Sequence, residues 1–210
     1  MSQADTTTRT TYKPVVTIFE AYGAGADYVG HKVAEAIGLP FHEQAFSSEA
    51  IEGDPDAATE QGAVLSQVFA VLGGAYGGFE GRDVATTQRQ KYELIMDNNR
   101  QVWESADEGG VILGRNGAVI LAERPNTFHV LLTGSVEDRV ARAAKAGGLT
   151  LEKAATRRKR EDQVRTDMSK VFYGWDPMAP DRYDMVMNTS RIALDAVARA
   201  IVDAVRVGTA

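Results

Sequence analysis

The sequence contains no cysteine and only three histidines, and both shortages narrow the chemistry open to it. Without cysteine there can be no disulfide, no thiolate nucleophile and no Cys-based zinc site. The three histidines are not spaced as a metal-binding pair, so we expect no histidine metal site. No apolar run approaches the roughly 20 residues that span a bilayer, so we expect no membrane partner.

The polar, threonine-rich N-terminus also lacks the apolar stretch of a signal peptide. We therefore expect residues 1–13 to be a short disordered leader on a cytoplasmic protein, followed by a single domain over residues 14–210. A chain of 210 residues, of which 44% are hydrophobic, suits one such domain with a sizeable core. The formal net charge of -6 argues against general nucleic-acid binding.

Apolar runs alternate with helical patterns along the chain, which indicates an α/β fold built on a parallel sheet. The predicted strands cover residues 15–19, 40–42, 110–113, 128–132 and 183–187. The predicted helices cover residues 27–36, 61–72, 88–106, 136–146, 151–172 and 192–205. Ser135 and Thr150 stand where N-caps would begin the fourth and fifth of these helices.

The segment after the first strand carries the strongest functional signal. Gly23-Ala24-Gly25 forms a glycine-spaced turn between an apolar strand and a helix, a pattern typical of backbone cradles for phosphate. The lysine and the hydroxyl that usually complete such a cradle are absent, since Ala26 and Tyr28 stand at their expected places. Glu20 and Asp27 add negative charge at the two ends of the loop. Whether the loop holds a nucleotide is therefore open from the sequence.

The second signal is a basic segment, residues 151–170, which is locally positive in an acidic chain. Arg158, Asp162 and Arg165 follow at i, i+4 and i+7, so a helix places them on one face. Two guanidiniums fixed by a carboxylate suit phosphoryl binding, because arginine presents a planar fork of donors. A solvated face held by ion pairs is the alternative.

Three weaker candidates have structural alternatives of equal simplicity. His42 beside Glu43 suggests an acid–base pair, but neighbouring strand residues point to opposite faces. Tyr173 and Trp175, after the basic helix, either stack on a base or anchor the return of the chain to the core. His129 lies within an apolar strand and is expected to be structural. Residues 49–60 are acidic, and the sequence does not say whether they form part of a site or a solvated loop. Residues 73–81 are glycine-rich and suit either a flexible hinge or a solvated loop with Tyr76 and Phe79 packed down.

Together these segments resemble the cytidylate-kinase-like family of P-loop nucleoside-monophosphate kinases. The resemblance rests on the order of GAGADYVG, VILGRNGAVIL, FHVLLTGSVEDRVAR, RRKREDQVR and YDMVMNTS along most of the chain. It implies a sheet of about five parallel strands flanked by helices, with a helical lid at about residues 147–180. It also implies transfer of the ATP γ-phosphoryl group to a pyrimidine nucleoside monophosphate. ATP and Mg²⁺ are the implied cofactors, and no metal site formed by the protein itself is implied.

The resemblance also implies roles for individual residues. Nucleotide binding is implied for Gly23, Ala24, Gly25, Ala26, Asp27, Tyr28, Glu43 and Arg115. Catalytic roles in the lid are implied for Arg158, Asp162 and Arg165. Asn116 stands where an aspartate is common in the family. The changed loop leaves a second function open: a catalytically impaired kinase fold that serves as a nucleotide sensor or binds a protein partner.

Overall fold

A computed structural model describes residues 12–48, 51, 60–73 and 84–208, with the backbone alone at residues 60, 61, 84 and 208. Its five strands are β1 (Val15–Glu20), β2 (Phe41–His42), β3 (Gly110–Leu113), β4 (Thr127–Thr133) and β5 (Met185–Asn188). Most of the acidic stretch 49–60 and of the glycine-rich stretch 73–81 lies outside the described residues, as does nearly all of the predicted leader.

Seven helices lie within the described residues, accompanied by a 3-10 turn at Pro180–Arg182. They are α1 (Ala26–Ile37), α2 (Glu60–Leu72), α3 (Val84–Glu108), α4 (Gly117–Ile120), α5 (Val136–Gly147), α6 (Leu151–Tyr173) and α7 (Leu194–Gly208). The predicted caps are confirmed, because the hydroxyl of Ser135 accepts from the Asp138 N–H and that of Thr150 from the Lys153 N–H.

The sheet is parallel throughout, in the order β2-β3-β1-β4-β5. The predicted fold class is thereby confirmed. Strand β3 is buried along its whole length, and β1 and β4 are buried over most of theirs, as expected of strands covered by helices on both faces. The chain leaves β1 toward β2 and β3, then crosses to β4 on the other side of β1. In such sheets the crevice outside the carboxyl ends of the central strands is the usual ligand site.

Two groups of helices cover the sheet. On one face α1 and α7 pack together over a core that includes Val16, Val33, Val130 and Ile201. On the other face α3 and α4 enclose a smaller cluster, represented by Val102 and Leu121. Helices α2 and α6 contribute a further cluster that also receives side chains from α3.

The structure differs from the sequence prediction in short elements. Helix α4 was not predicted, since four residues carry too little periodicity to be recognised. Residues 183 and 184 are not part of β5: the Asp184 N–H bonds the His129 carbonyl, but the ladder begins only at Met185. Helix α3 begins four residues earlier than predicted, at Val84.

Candidate functional site

The carboxyl ends of β1 and β3 open onto a cavity of about 530 Å³. Its walls come from β1, β3, the segment after β2 and helices α2, α3 and α6, so six parts of the chain meet around it. We call this space the acceptor cavity. Apolar side chains such as Phe46, Leu94 and Phe172 share its lining with Arg115 and Arg165. A largely apolar cavity with a few convergent polar groups is the usual form of a small-molecule site.

Arg115 is held at the cavity by neutral groups. Its Nε donates to the Glu43 carbonyl at 2.9 Å, and its Nη1 donates to Oε1 of Gln101 at 2.9 Å. No salt bridge to Arg115 occurs within the part of the chain that the structure describes. Burial lowers the pKa of the Arg115 guanidinium, and no carboxylate opposes that effect. Its positive charge is therefore available to an anionic ligand.

The backbone around Arg115 is unusual. Gly114, Arg115 and Asn116 all have positive φ, at 68°, 54° and 58°. Two consecutive non-glycine residues in this region store strain, which folded proteins concentrate at functional sites. The Asn98 amide supports the turn by donating to the Arg115 carbonyl at 3.0 Å. The strained turn thus places the guanidinium at the end of β3.

The glycine-spaced loop forms the predicted cradle, but an internal carboxylate occupies it. Gly25 adopts a left-handed conformation with φ 96° and begins α1, so its N–H and that of Ala26 lack partners within the helix. Both donate to Oε2 of Glu20, at 2.9 Å and 3.0 Å. Glu20 therefore lies where the resemblance placed a nucleotide phosphate.

Glu20 is only 8% exposed, and its environment perturbs its titration. Burial raises the pKa of its carboxyl, and the nearby Glu161 adds to that rise. The charge of Arg165 and the two backbone hydrogen bonds lower the pKa but do not cancel the effect of burial. The sequence showed Glu20 only as a negative charge near the loop. Its position five residues before Gly25 was the signal that it could reach the helix N-terminus.

The other loop residues point elsewhere. The Ala26 side chain is fully buried in the α1–α7 core, so the loop has no solvent-facing site for the missing lysine. Asp27 faces solvent near His31, with 3.7 Å between carboxylate and ring nitrogen. The Tyr28 hydroxyl donates to Asp195 at 2.7 Å on the surface. Neither Asp27 nor Tyr28 contacts Glu20.

Two arginines of α5 and one aspartate of α6 fasten the loop to the rest of the fold. Arg139 donates to the Tyr22 carbonyl at 3.0 Å, and Arg142 to the Gly23 carbonyl at 2.6 Å. Oδ1 of Asp162 accepts from the Tyr22 N–H at 2.8 Å. The sequence singled out neither arginine, although their i, i+3 spacing at the start of a helix following a sheet strand was a usable signal.

The predicted arrangement of Arg158, Asp162 and Arg165 is only partly present. Asp162 is 3.4 Å from Arg158, but its nearer cation is Arg139, at 3.1 Å. Arg165 pairs instead with Glu161, at 2.7 Å. The expectation that one carboxylate fixes both guanidiniums was wrong, because the fully buried Glu161, one residue before Asp162, takes Arg165. Of the three, Arg165 alone lines the acceptor cavity.

The weaker candidates have structural roles in this fold. His42 bonds the Gly109 carbonyl at 3.0 Å, and Glu43 is exposed and meets Arg115 only through its carbonyl. His129 is buried and bonds the Thr17 hydroxyl, with its pKa lowered by burial. Trp175 donates to the Asn116 side chain at 3.0 Å, which favours its role as an anchor.

Comparison with known proteins identifies the family of this chain and proteins that share its fold. A profile of the cytidylate kinase-like family matches residues 15–191. The chain belongs to this family. Among solved structures, an uncharacterized protein from Eubacterium ventriosum superimposes with a TM-score of 0.63 at 18% identity, covering 92% of this chain and 99% of that one. Shikimate kinase from Acinetobacter baumannii, in complex with shikimate, gives a TM-score of 0.50 at 15% identity, covering 93% and 94%. These likenesses show the fold.

Two sequence relatives of this family member cover only part of its length. A cytidylate kinase of Methanopyrus kandleri is 31% identical over 123 residues, which is 53% of this chain and 64% of that protein. A uronate isomerase of Corynebacterium glutamicum is 31% identical over 111 residues, which is 53% of this chain and 21% of that protein. The chain therefore spans less than two thirds of either relative. Among the described residues, no helix combines the length and apolar character needed to cross a bilayer.

Proposed function

We propose that this protein is a nucleoside-monophosphate kinase whose acceptor, a pyrimidine nucleoside monophosphate, binds in the acceptor cavity. The observation that carries the proposal is Arg115: a partly buried guanidinium that has no carboxylate partner among the described residues, fixed at the end of β3 in a cavity large enough for a small ligand. A monophosphate supplies the anion that this guanidinium lacks. Family membership and the name of the Methanopyrus kandleri relative support the class of acceptor.

Each part of the cavity has a role in this proposal. Arg115 binds the acceptor phosphate, because arginine bonds phosphate oxygens with two parallel N–H donors. The base lies among the side chains of Gln44, Phe46 and Gln67, which offer amides for its edge and an aromatic ring for its face. Arg165 also lines the cavity, and movement of the lid at residues 147–180 would bring it to the phosphates.

ATP and Mg²⁺ are the co-substrates that the family implies, and the loop as folded does not fit them. The two N–H groups that would receive phosphate are bonded to Glu20. The buried Ala26 stands at the lysine position, and the hydroxyl of Tyr28 is bonded to Asp195. No group of three or more His, Asp or Glu in the described segments is placed to hold a metal ion. We therefore assign no step to the loop.

A second candidate function follows from the occupied loop. If Glu20 never leaves the cradle, the protein binds a nucleoside monophosphate without phosphorylating it and acts as a nucleotide sensor or interaction module. The same Glu20 contacts favour this candidate, whereas the retained Arg115, Arg158 and Arg165 favour the kinase.

Turnover with purified full-length protein tests the proposal. ATP and Mg²⁺ are combined separately with CMP, UMP, dCMP and AMP, and diphosphate formation is followed together with the thermal shift from each nucleotide. The kinase proposal expects a diphosphate product from a pyrimidine acceptor. A thermal shift with CMP but no product from any acceptor supports the sensor. No product and no shift from any nucleotide excludes both.

A further inference from the structure

The Glu20 carboxylate is bound as a ligand would be bound. Its Oε2 accepts hydrogen bonds from the N–H groups of Gly25, the N-cap of α1, and Ala26, the first residue of that twelve-residue helix, at 2.9 Å and 3.0 Å. The contact is buried, and within the described residues Glu20 is the only side chain that receives those two donors. A carboxylate oxygen and a phosphate oxygen make the same demand on such a pair of donors.

The surrounding elements favour this arrangement. Gly23 has φ 82°, and a Cβ there would lie 2.5 Å from the Arg139 carbonyl oxygen, so the loop lies directly against α5. Gly25 has φ 96°, and a Cβ there would lie 2.9 Å from the Leu194 side chain. The loop is therefore packed from outside and held by Arg139, Arg142 and Asp162. The cradle is preformed, and the group that fills it is part of the chain.

Glu20 also lies beside the acceptor cavity, whose lining includes both Glu20 and Arg165. The charged groups facing its carboxyl are Arg165 and Glu161, both on α6, together with the dipole of α1. Because Arg165 is already paired with Glu161, it does not draw Glu20 out of the cradle.

We propose that Glu20 is an internal competitor for the phosphate site: its side chain fills the anion cradle and keeps the phosphates of a nucleotide out of the loop. The inference rests on the proposed function in one respect: a kinase needs a site for the donor phosphates, and the loop is that site only when Glu20 has left the cradle. A tethered carboxylate competes at an effective concentration of about millimolar or higher, which a free nucleotide must exceed. Glu20 thus sets the affinity of the loop for phosphates, and the missing lysine is not the sole cause of weak binding.

The test measures binding of inorganic pyrophosphate, by calorimetry, to the wild type and to the variants Glu20→Ala, Glu20→Gln and Glu35→Gln. Glu20→Ala frees both donors, and we expect its affinity for pyrophosphate to rise by about tenfold or more. Glu20→Gln keeps an acceptor oxygen but no charge, and we expect a smaller rise, of about threefold. Glu35→Gln removes one exposed negative charge, paired with Lys32, from the last turn of α1 and should change affinity by less than about twofold.

The location of binding is read from backbone amide spectra, in which pyrophosphate should shift the Gly25 and Ala26 signals of Glu20→Ala. The inference is overturned if neither folded Glu20 variant binds pyrophosphate more tightly than the wild type, or if the affinity of Glu35→Gln rises as much as that of Glu20→Ala. If circular dichroism shows that Glu20→Ala does not fold, the pyrophosphate affinity of the isosteric Glu20→Gln is compared with that of the wild type instead. CMP binding to the wild type is measured in parallel, and its absence would count against the kinase proposal while leaving the pyrophosphate comparison intact.

Discussion

Two regions of this molecule present hydrogen-bond donors to an anion, the glycine-spaced loop and the acceptor cavity, and they differ in whether acids of the chain already occupy those donors. At the loop, two helix N–H groups meet the carboxylate of Glu20, and the nearby Arg165 meets Glu161. At the acceptor cavity, the Arg115 guanidinium donates to the Glu43 carbonyl and the Gln101 side-chain oxygen, and it meets no carboxylate in the described segments. The donors of the first region are occupied by acids of the chain itself, while the arginine of the second region has no carboxylate partner among the described residues.

This difference indicates where an external phosphate gains most. A phosphate that binds at the loop must displace the Glu20 carboxylate, which already accepts two hydrogen bonds. Much of the free energy gained from the new contacts is therefore lost. A phosphate that binds at Arg115 adds a charge partner and breaks no ion pair of Arg115 within the part of the chain that the structure describes. Substitutions that disturb one region and spare the other can break or sharpen this contrast.

The largest expected effect is on stability, from Arg165→Ala. The substitution leaves the fully buried Glu161 without its cation, and such a loss costs about 3–5 kcal/mol of the free energy of unfolding. Urea denaturation measures it. The matched control is Arg158→Ala, where Asp162 keeps Arg139 and the Tyr22 N–H, so we expect a loss below about 1 kcal/mol. If Arg165→Ala and Arg158→Ala lost equally little unfolding free energy, the ion pair between Arg165 and Glu161 would not stabilise the fold.

The next largest effect concerns the acceptor cavity. Arg115→Ala removes charge-assisted hydrogen bonds worth about 1.5–3 kcal/mol, so we expect CMP affinity to fall by about 10- to 100-fold. Arg100→Ala is the control, because Arg100 also lines the cavity but its exposed side chain is paired with Asp97 and Glu104. Calorimetry with CMP compares the two. Similar affinities for both variants would remove Arg115 from the proposed phosphate site.

A third prediction concerns the attachment of the loop. Asp162→Asn weakens the contact with the largely buried Arg139 and with the Tyr22 N–H, and we expect it to destabilise the fold by about 1–3 kcal/mol. Glu152→Gln, an exposed acid on the same helix, should cost no more than about 0.5 kcal/mol. Chemical denaturation separates the two variants. A stability of Asp162→Asn within error of Glu152→Gln would mean that α6 does not secure the loop.

The smallest effect is the pH dependence contributed by Glu20. Burial raises its folded-state pKa above the ordinary value of 4.5, so the folded protein holds this proton more tightly than the unfolded chain. Its stabilising contribution is therefore complete below about pH 4.5 and is lost as the pH rises through the higher folded-state pKa. Across that range, we expect the unfolding free energy of the wild type to rise relative to that of Glu20→Gln as the pH falls. A constant difference would contradict the raised pKa.

Much of the fold was predictable because its signals are local. The continuous apolar runs of β3 and β4, the caps at Ser135 and Thr150, and the glycine turn at Gly23 each specify structure within a few residues. Helix α4 was missed because its backbone follows from the strained turn before it, and four residues show no period.

The site was less predictable because its contacts join distant segments. Glu20 was recognised as a charge, but its burial depends on how α1 and α6 enclose the end of β1. The choice of Arg165 between Glu161 and Asp162 is equally hidden: both acids lie near it on the same helix, and only tertiary burial decides. Arg139 and Arg142 hold the loop through the Tyr22 and Gly23 carbonyls, and the i, i+3 spacing of the two arginines does not reveal these backbone partners.

The left-handed turn at residues 114–116 has a consequence for the kinetics of recognition. Arg115 is clamped on both sides, since its carbonyl accepts from Asn98 and its side chain donates to the Glu43 carbonyl and to Gln101. Little rotamer entropy remains to be lost when an anion arrives. Capture at Arg115 should therefore follow a single fast phase in stopped-flow experiments, with no slow rearrangement after the encounter.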